Sequence, residues 1–362
     1  MNHRLRLQSL QSSLHRHELD VLLVAHAPNV RYLCGFTGSA AALLIDEDRA
    51  VFFTDGRYTT QAKAEVQGAR IVIARKPPLT AAADWLARRE GKGRRRVVGI
   101  EGEHLTVAAR KRVLDRLPKT VGLKESPPLI EHARMIKDPD EIERIRRAVL
   151  LGAGLWDVAV RTMRPGIAES DVAGEMEHAA RRVGAEAMSF ETIIAGGARS
   201  ALPHGRASRA PIPSQGFVVC DFGVILDGYC SDMTRTLYVG RPSEEARSFY
   251  QAVLQAQQAA TAAVGPGTKL GKVDREARKV LLKAGLARYF THSTGHGVGL
   301  EIHEAPRVAA GQTETLRPGM VITIEPGAYV PGRWGVRIED MVVVTEQGCE
   351  VLTPTSKELV VV

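Results

Sequence analysis

The sequence predicts an α+β protein in two parts: a smaller N-terminal α/β domain over residues 1–130 and a larger, pseudo-twofold α+β domain over residues 131–362. Three observations predict it. Short apolar strands alternate with helical stretches through the first 125 residues, which favours a mixed, partly parallel sheet. A break at Ser126–Pro128 is followed by a strong helix start at Asp138. Beyond it the order helix, helix, hairpin occurs twice, and two such halves pack naturally as helices on a curved antiparallel sheet.

Each element has its own signal. Residues 1–20 mix polar and apolar side chains, which reads as an amphipathic first helix. They have neither the continuous apolar stretch nor the small-residue cleavage site of a signal peptide. Val21–Ala25 (VLLVA) reads as a buried strand bounded by Asp20. Residues 41–55 carry two apolar runs around Asp46–Asp48, the pattern of a β-hairpin. A helix begins at Gln61–Val66, and Ile71–Ala74 and Val97–Ile100 are further short strands. The domain boundary falls within residues 126–138. Asp138 as N-cap, Pro139 in the first helical position and Glu141 three residues after the cap together make a capping box. Helices are expected around 139–162, 170–183, 243–263 and 271–284, punctuated by Ser170 and Gly184, Ser243 and Gly265, and Gly285. The first helix pair leads to the hairpin VVCDFGVILDGYCSDMTRTLYV and the second to VITIEPGAYVPGRWGVRIEDMVVV.

Composition narrows the class. With 44% hydrophobic and 25% charged residues the chain reads as an ordinary soluble globular protein. It contains no apolar run of 18 residues, so neither a membrane span nor a membrane partner is expected and the location is read as cytoplasmic. Cys34, Cys220, Cys230 and Cys349 form no C-x-x-C pair, which argues against a disulfide framework and a zinc ribbon. The net charge of +8 comes mostly from scattered arginines, with one dense run at Lys92–Arg96. No aromatics interleave with that run, so it offers no stacking platform and no nucleic-acid partner is expected.

The two hairpins carry acids where strands normally exclude them. Asp221 follows the apolar run FVVC, and Asp232 lies on the returning strand. Glu325 follows VITI, and Glu339 follows VRI. Such acids are costly to desolvate unless they are paired or bind a metal. A single one is readily explained by an arginine partner; four in matching positions are not. The stretch THSTGHGVGLEIHE adds His292, His296 and His303. An i,i+4 histidine pair can chelate from a helix, but Gly295, Gly297 and Gly299 argue against helix here. Taken alone, each ring could be a ligand, a proton carrier or a satisfied structural residue. Four carboxylates with one imidazole suit Mn2+, Co2+, Fe2+ or Zn2+, and carboxylates can bridge two ions about 3.5–4 Å apart around a shared water.

The stretches ALPHG, DFGVILDGYCSDMTRT, THSTGHGVGLEIHE, EPGAY and RIED resemble, in order and spacing, the catalytic domain of the pita-bread metallopeptidases. Within that group the pattern resembles the Xaa-Pro peptidases, aminopeptidase P and prolidase. RYLCGFTGSAAALLIDEDRAVFFTDGRYTTQA is similar to their smaller, creatinase-like first domain. The resemblance spans almost the whole chain. It implies two divalent metal ions, manganese first with cobalt, zinc or iron as alternatives, held by Asp221, Asp232, His296, Glu325 and Glu339. It implies catalytic roles for His204, His303 and Glu325, and substrate contacts for His292, Tyr329 and Arg337; Arg307 in HEAPR could add a contact to a substrate carboxylate, a surface arginine being the plain alternative.

The implied reaction is hydrolysis of the peptide bond preceding proline. Glu325 would take a proton from water. His204 or His303 would stabilise the oxyanion, and Tyr329 or a histidine would protonate the proline nitrogen. For Arg337 an ion pair to a ligand carboxylate is an equal alternative. Arg307 leans towards a dipeptidase, because it could hold a dipeptide's C-terminal carboxylate. The compact first domain leans, by resemblance, towards aminopeptidase P, the reading favoured here, with Xaa-Pro dipeptidase as the alternative. A homodimer acting on proline-containing peptides is expected. A creatinase-like hydrolase or a metal-free binding relative is opposed by the five metal-competent positions, and methionine aminopeptidases generally lack this first domain.

Overall fold

The computed structural model describes residues 1–89 and 96–362. All of the basic run at Lys92–Arg96 except Arg96 therefore lies outside the described residues. The chain forms two compact units, Met1–Arg134 and Met135–Val362.

The first unit runs α1 (His3–Leu14), β1 (Val21–Val24), α2 (Ala27–Cys34), β2 (Ala42–Asp46), β3 (Ala50–Asp55), α3 (Thr59–Glu65), β4 (Arg70–Ala74), α4 (Pro78–Arg89), β5 (Arg96–Glu101), α5 (Val107–Leu114), β6 (Val121–Ser126) and α6 (Leu129–Arg134). The sheet order is β4-β3-β2-β1-β5-β6. Its β1–β2 and β2–β3 pairs are antiparallel and the rest are parallel, so the sheet is mixed. The apolar runs that predicted strands form its centre: Leu23, Leu44, Phe53 and Ile100 pack with Ala82, Ala83 and Leu86 of α4. Sequence reading left out β6. It is an edge strand with only Val121 buried, and edge strands carry little apolar pattern.

The second unit runs α7 (Pro139–Thr162), α8 (Glu169–Arg182), β7 (Ala187–Met188), β8 (Ile193–Gly196), β9 (Gly216–Phe222), β10 (Val224–Leu226), β11 (Tyr229–Cys230) and β12 (Met233–Val239). It continues with α9 (Glu244–Ala262), α10 (Leu270–Lys283), β13 (Gly295–Gly297), β14 (Glu304–Val308), β15 (Val321–Ile324), β16 (Gly327–Val330), β17 (Trp334–Arg337), β18 (Asp340–Val344) and β19 (Cys349–Val351). The α7 start has both capping-box bonds, Glu141 N to Asp138 Oδ1 at 2.9 Å and Asp138 N to Glu141 Oε2 at 3.0 Å. Ser243 caps α9 through Ala246 N at 3.2 Å. Ser170 does not cap α8: the cap position is Ala168, with no side-chain bond. Tertiary bonds fix that end instead, because buried Glu169 accepts from Gly196 N, Arg199 and Ser208.

Both predicted hairpins form, and each is broken in the middle. β9 pairs with β12 as far as Phe222↔Met233, and the outer ladder resumes between β10 and β11. β15 pairs with β18 as far as Ile324↔Asp340, and the outer ladder resumes between β16 and β17. The chain turns out of register at Gly223 and Ser231–Asp232 in one half, and at Glu325–Pro326 and Ile338–Glu339 in the other. Helices α7 and α8 cover the first half through Trp156, Val172 and Met176 against Val218 and Cys220. Helices α9 and α10 cover the second through Val253, Ala277 and Leu281 against Ile322 and Val342. This is a pseudo-twofold α+β unit.

The halves join along β12. Glu339 N donates to Thr234 O at 3.1 Å, and Thr236 Oγ1 donates to Arg337 O at 2.8 Å. Arg235, 1% exposed, donates to the carbonyls of Thr234 and Glu339 and to the Asp340 carboxylate.

Candidate metal centre

The ladder interruptions decide where the acids go. Asp232, Glu325 and Glu339 all sit in the breaks, and Asp221 is the penultimate residue of β9. Asp221, Asp232 and Glu339 are buried, and the Glu325 side chain is 16% exposed. His296 occupies the middle of β13. Its flanking glycines are required by space: a Cβ on Gly295 would lie 1.9 Å from Thr323 O, and one on Gly297 2.2 Å from Ala305 O.

The His296 tautomer follows from its contacts. Nδ1 lies 3.0 Å from the Gly297 carbonyl, which can only accept, so Nδ1 carries the proton and Nε2 the lone pair. That Nε2 lies 3.6 Å from Asp232 Oδ2 and 3.5 Å from Glu325 Oε1. Ligand atoms of Asp232, His296 and Glu339 fall within 4.8 Å of one another. Asp221 Oδ2 instead accepts from Arg337 Nη2, so the arginine ion pair weighed from sequence is present.

The donor set fits a divalent cation. Asp221 Oδ1 and Asp232 Oδ1 are buried without a hydrogen-bond partner, and a buried polar atom left in that state is costly. Burial, reinforced by the neighbouring carboxylates, pushes Asp232 and Glu339 well above the usual carboxylate range. Burial raises Glu325 to about 7, with Arg337 opposing and Asp221 reinforcing. Among the described residues, the cation that offsets these carboxylates is the Arg337 guanidinium. The protein alone does not neutralise them, and oxygen donors with one imidazole are a borderline metal's ligands.

Around this cluster runs a hydrogen-bonded chain. Arg337 Nη1 donates to Pro203 O at 2.9 Å and to Tyr329 Oη at 2.7 Å. His292 Nδ1 meets the Ser293 carbonyl at 2.8 Å and is therefore protonated, leaving Nε2 to accept from Tyr329 Oη at 2.9 Å. Burial lowers His292 and His296 to about 4, which keeps both rings neutral. Burial also raises the Tyr329 phenol to about 12. The Tyr329 proton is thus directed at His292.

His303 and His204 are exposed side chains. The His303 ring lies 4.4 Å from that of His296. Burial lowers His303, and His204 is near enough to lower both His292 and His303 as well. Arg307 is exposed and stands directly opposite His296 in the β13–β14 register, on the same sheet face by antiparallel pairing.

Sequence reading gave no role to two threonines. Thr234 Oγ1 donates to Glu339 Oε2 at 2.8 Å and accepts from Arg337 Nε at 3.0 Å. Thr323 Oγ1 accepts from His296 N at 3.2 Å and lies 3.5 Å from Glu325 Oε1. The signal was strand alternation: Thr234 follows Asp232 by two and Thr323 precedes Glu325 by two, spacings that share a face.

Residues 143–346 match metallopeptidase family M24, and residues 6–136 match the creatinase/prolidase N-terminal domain. The chain is 36% identical to an Xaa-Pro dipeptidase of Pyrococcus furiosus over 355 residues, 98% of this chain and 99% of that protein. A solved structure of an Xaa-Pro dipeptidase from Bacillus anthracis superposes with a TM-score of 0.95 at 37% identity, covering 100% of both chains. An X-Pro aminopeptidase from Thermotoga maritima superposes with a TM-score of 0.89 at 32% identity, covering 99% of this chain and 100% of that one.

Proposed function

This chain belongs to metallopeptidase family M24, and from that premise we propose that it is an exopeptidase hydrolysing the bond preceding proline, with Xaa-Pro dipeptides as its substrates. The convergence of Asp232, Glu325 and Glu339, drawn from both hairpins, on His296 carries the reading. Asp221, Asp232, His296, Glu325 and Glu339 would hold two divalent ions, manganese first among Mn2+, Co2+, Zn2+ and Fe2+. When bound, such ions supply Lewis acidity and lower the pKa of water.

The chain's own residues do the rest. Glu325 accepts the proton of the attacking water. His303 and His204, exposed beside the cluster, donate hydrogen bonds to the developing oxyanion, and one of them protonates the proline nitrogen as it leaves. Tyr329 is a poorer source for that proton, since its hydroxyl already donates to His292. It positions the His292 ring and contacts substrate, while Arg337 binds Asp221 and braces Tyr329.

Arg307 favours the dipeptide. An exposed arginine paired with His296 across β13–β14 suits the C-terminal carboxylate of a dipeptide. The P. furiosus and B. anthracis relatives, both named Xaa-Pro dipeptidases, support the same choice. The aminopeptidase P-like reading favoured from the sequence, with an open cleft for longer peptides, therefore becomes the second one, supported by the T. maritima likeness. The test compares a Xaa-Pro dipeptide with a Xaa-Pro-Xaa peptide on Mn2+-loaded protein. Cleavage of the dipeptide alone is expected; equal cleavage of the longer peptide would select the second reading.

The protein is read as a cytoplasmic homodimer. No helix among the described residues is long and apolar enough to cross a membrane, and its four cysteines are all free. A sedimentation mass of one chain would overturn the dimer.

A further inference from the structure

The segment carrying His292 and leading to His296 is tied to helix α10 by two residues outside the site described above. Asp274 and Arg278 stand one helical turn apart, with Nε to Oδ2 at 2.8 Å and Nη2 to Oδ1 at 3.1 Å. The Asp274 side chain is 1% exposed. The Arg278 fork continues past it: Nη1 donates to Phe290 O at 3.1 Å and Nη2 to His292 O at 2.7 Å. The guanidinium carbon also lies 4.3 Å from the centre of the Phe290 ring, which meets the His292 ring edge-on at 5.1 Å. Asp274 Oδ1 accepts from Thr294 Oγ1 at 2.9 Å, and the Thr294 carbonyl accepts from Glu325 N at 2.7 Å.

We propose that Arg278, held by Asp274, is a positioning residue for peptide hydrolysis: it clamps the His292 backbone so that the ring stays against Tyr329. Buried Asp274 has a cationic partner, and the clamped carbonyls have donors. All of the reach is towards the 290–294 segment. A planar fork that bonds one carboxylate and two carbonyls at once is a task lysine cannot reproduce. The His296 tautomer is set separately by Gly297, so the clamp acts on His292 and leaves the His296 Nε2 lone pair in place.

The kinetic test rests on the peptidase reading and is a double-mutant cycle. Arg278→Gln should lower kcat by about 10- to 100-fold, the order of effect of a small misplacement near the chemistry. In a His292→Ala background the same change should cost less than about twofold, because residues acting through one another are non-additive. An equal loss in both backgrounds would show a general structural role and overturn the proposal. Should Arg278→Gln not fold, Arg278→Lys keeps the charge, loses the fork and takes its place in the cycle.

A second arm needs no turnover. The imidazole 15N signal of His292 Nε2, which reports its hydrogen bond from Tyr329, should shift in Arg278→Lys and Arg278→Gln; an unchanged signal overturns the proposal. If the native protein cuts no Xaa-Pro bond, the peptidase reading fails and this signal still decides the positioning.

Discussion

His296 presents a lone pair because its other nitrogen is already protonated and bound to Gly297 O, and that arrangement is set before any ion arrives. Asp221→Ala removes a carboxylate with a buried, unpartnered oxygen. It should abolish Mn2+ binding and hydrolysis while leaving the far-ultraviolet circular dichroism unchanged, and turnover retained in metal-defined buffer would defeat the assignment. Arg307→Ala should raise KM for Xaa-Pro dipeptides at least tenfold, since a charge-assisted pair is worth about 1.5–3 kcal/mol. The same change should spare longer peptides, measured side by side. The acids also predict a pH dependence. Glu325 is raised from its ordinary value to about 7. Its contribution to the stability of the metal-free protein is therefore present below about pH 4.5 and lost as pH rises through about 7. An ion bound there displaces that proton. Calorimetric titration with Mn2+ in buffers of different ionisation heat should show proton release near about pH 6 that falls off at alkaline pH.

The hairpins explain how these residues meet. Asp221, Glu325 and Glu339 are visible as charges beside apolar runs and Asp232 by its place on the returning strand, and the glycines around His296 are visible as a bar to helix. The breaks in the ladders were not legible, because they depend on close backbone approach. At Gly223 a Cβ would sit 1.8 Å from Ser231 O, a contact made by a residue eight positions away on the returning strand. Gly295→Ala, with its Cβ 1.9 Å from Thr323 O, should destabilise by about 3 kcal/mol or more, read in urea unfolding. The seam was hidden for a similar reason. Arg235 reads in DMTRT as an ordinary strand residue, yet it is buried and satisfied by Thr234 O, Glu339 O, Ser356 O, Thr355 O and Asp340. Arg235→Met would remove the donor on Asp340 Oδ1, with Lys357 and Gln257 still holding Oδ2, and should cost about 1–3 kcal/mol. Ser170 failed as a cap signal because long-range bonds to Glu169 set that helix end, and a local motif does not register them.

All five proposed ligands lie in the unit Met135–Val362. Loading with Mn2+ should therefore slow hydrogen exchange in peptides of residues 216–239 and 290–342, with little change in residues 1–89. Uniform protection of both units would contradict a single metal centre. The central strands of both units are legible in the sequence because they are strongly apolar; α2, α4, α5, α6, the weakly patterned edge strand β6 and the seam along β12 are not. The central claim, that this cluster is a metal centre that cuts the bond before proline, meets its most direct test in one assay. The protein is stripped with a chelator, reloaded with Mn2+ and given a Xaa-Pro dipeptide. Turnover should vanish on stripping and return on reloading. Cleavage that persists without metal, or its absence with Mn2+, Co2+, Zn2+ and Fe2+ alike, would contradict the account.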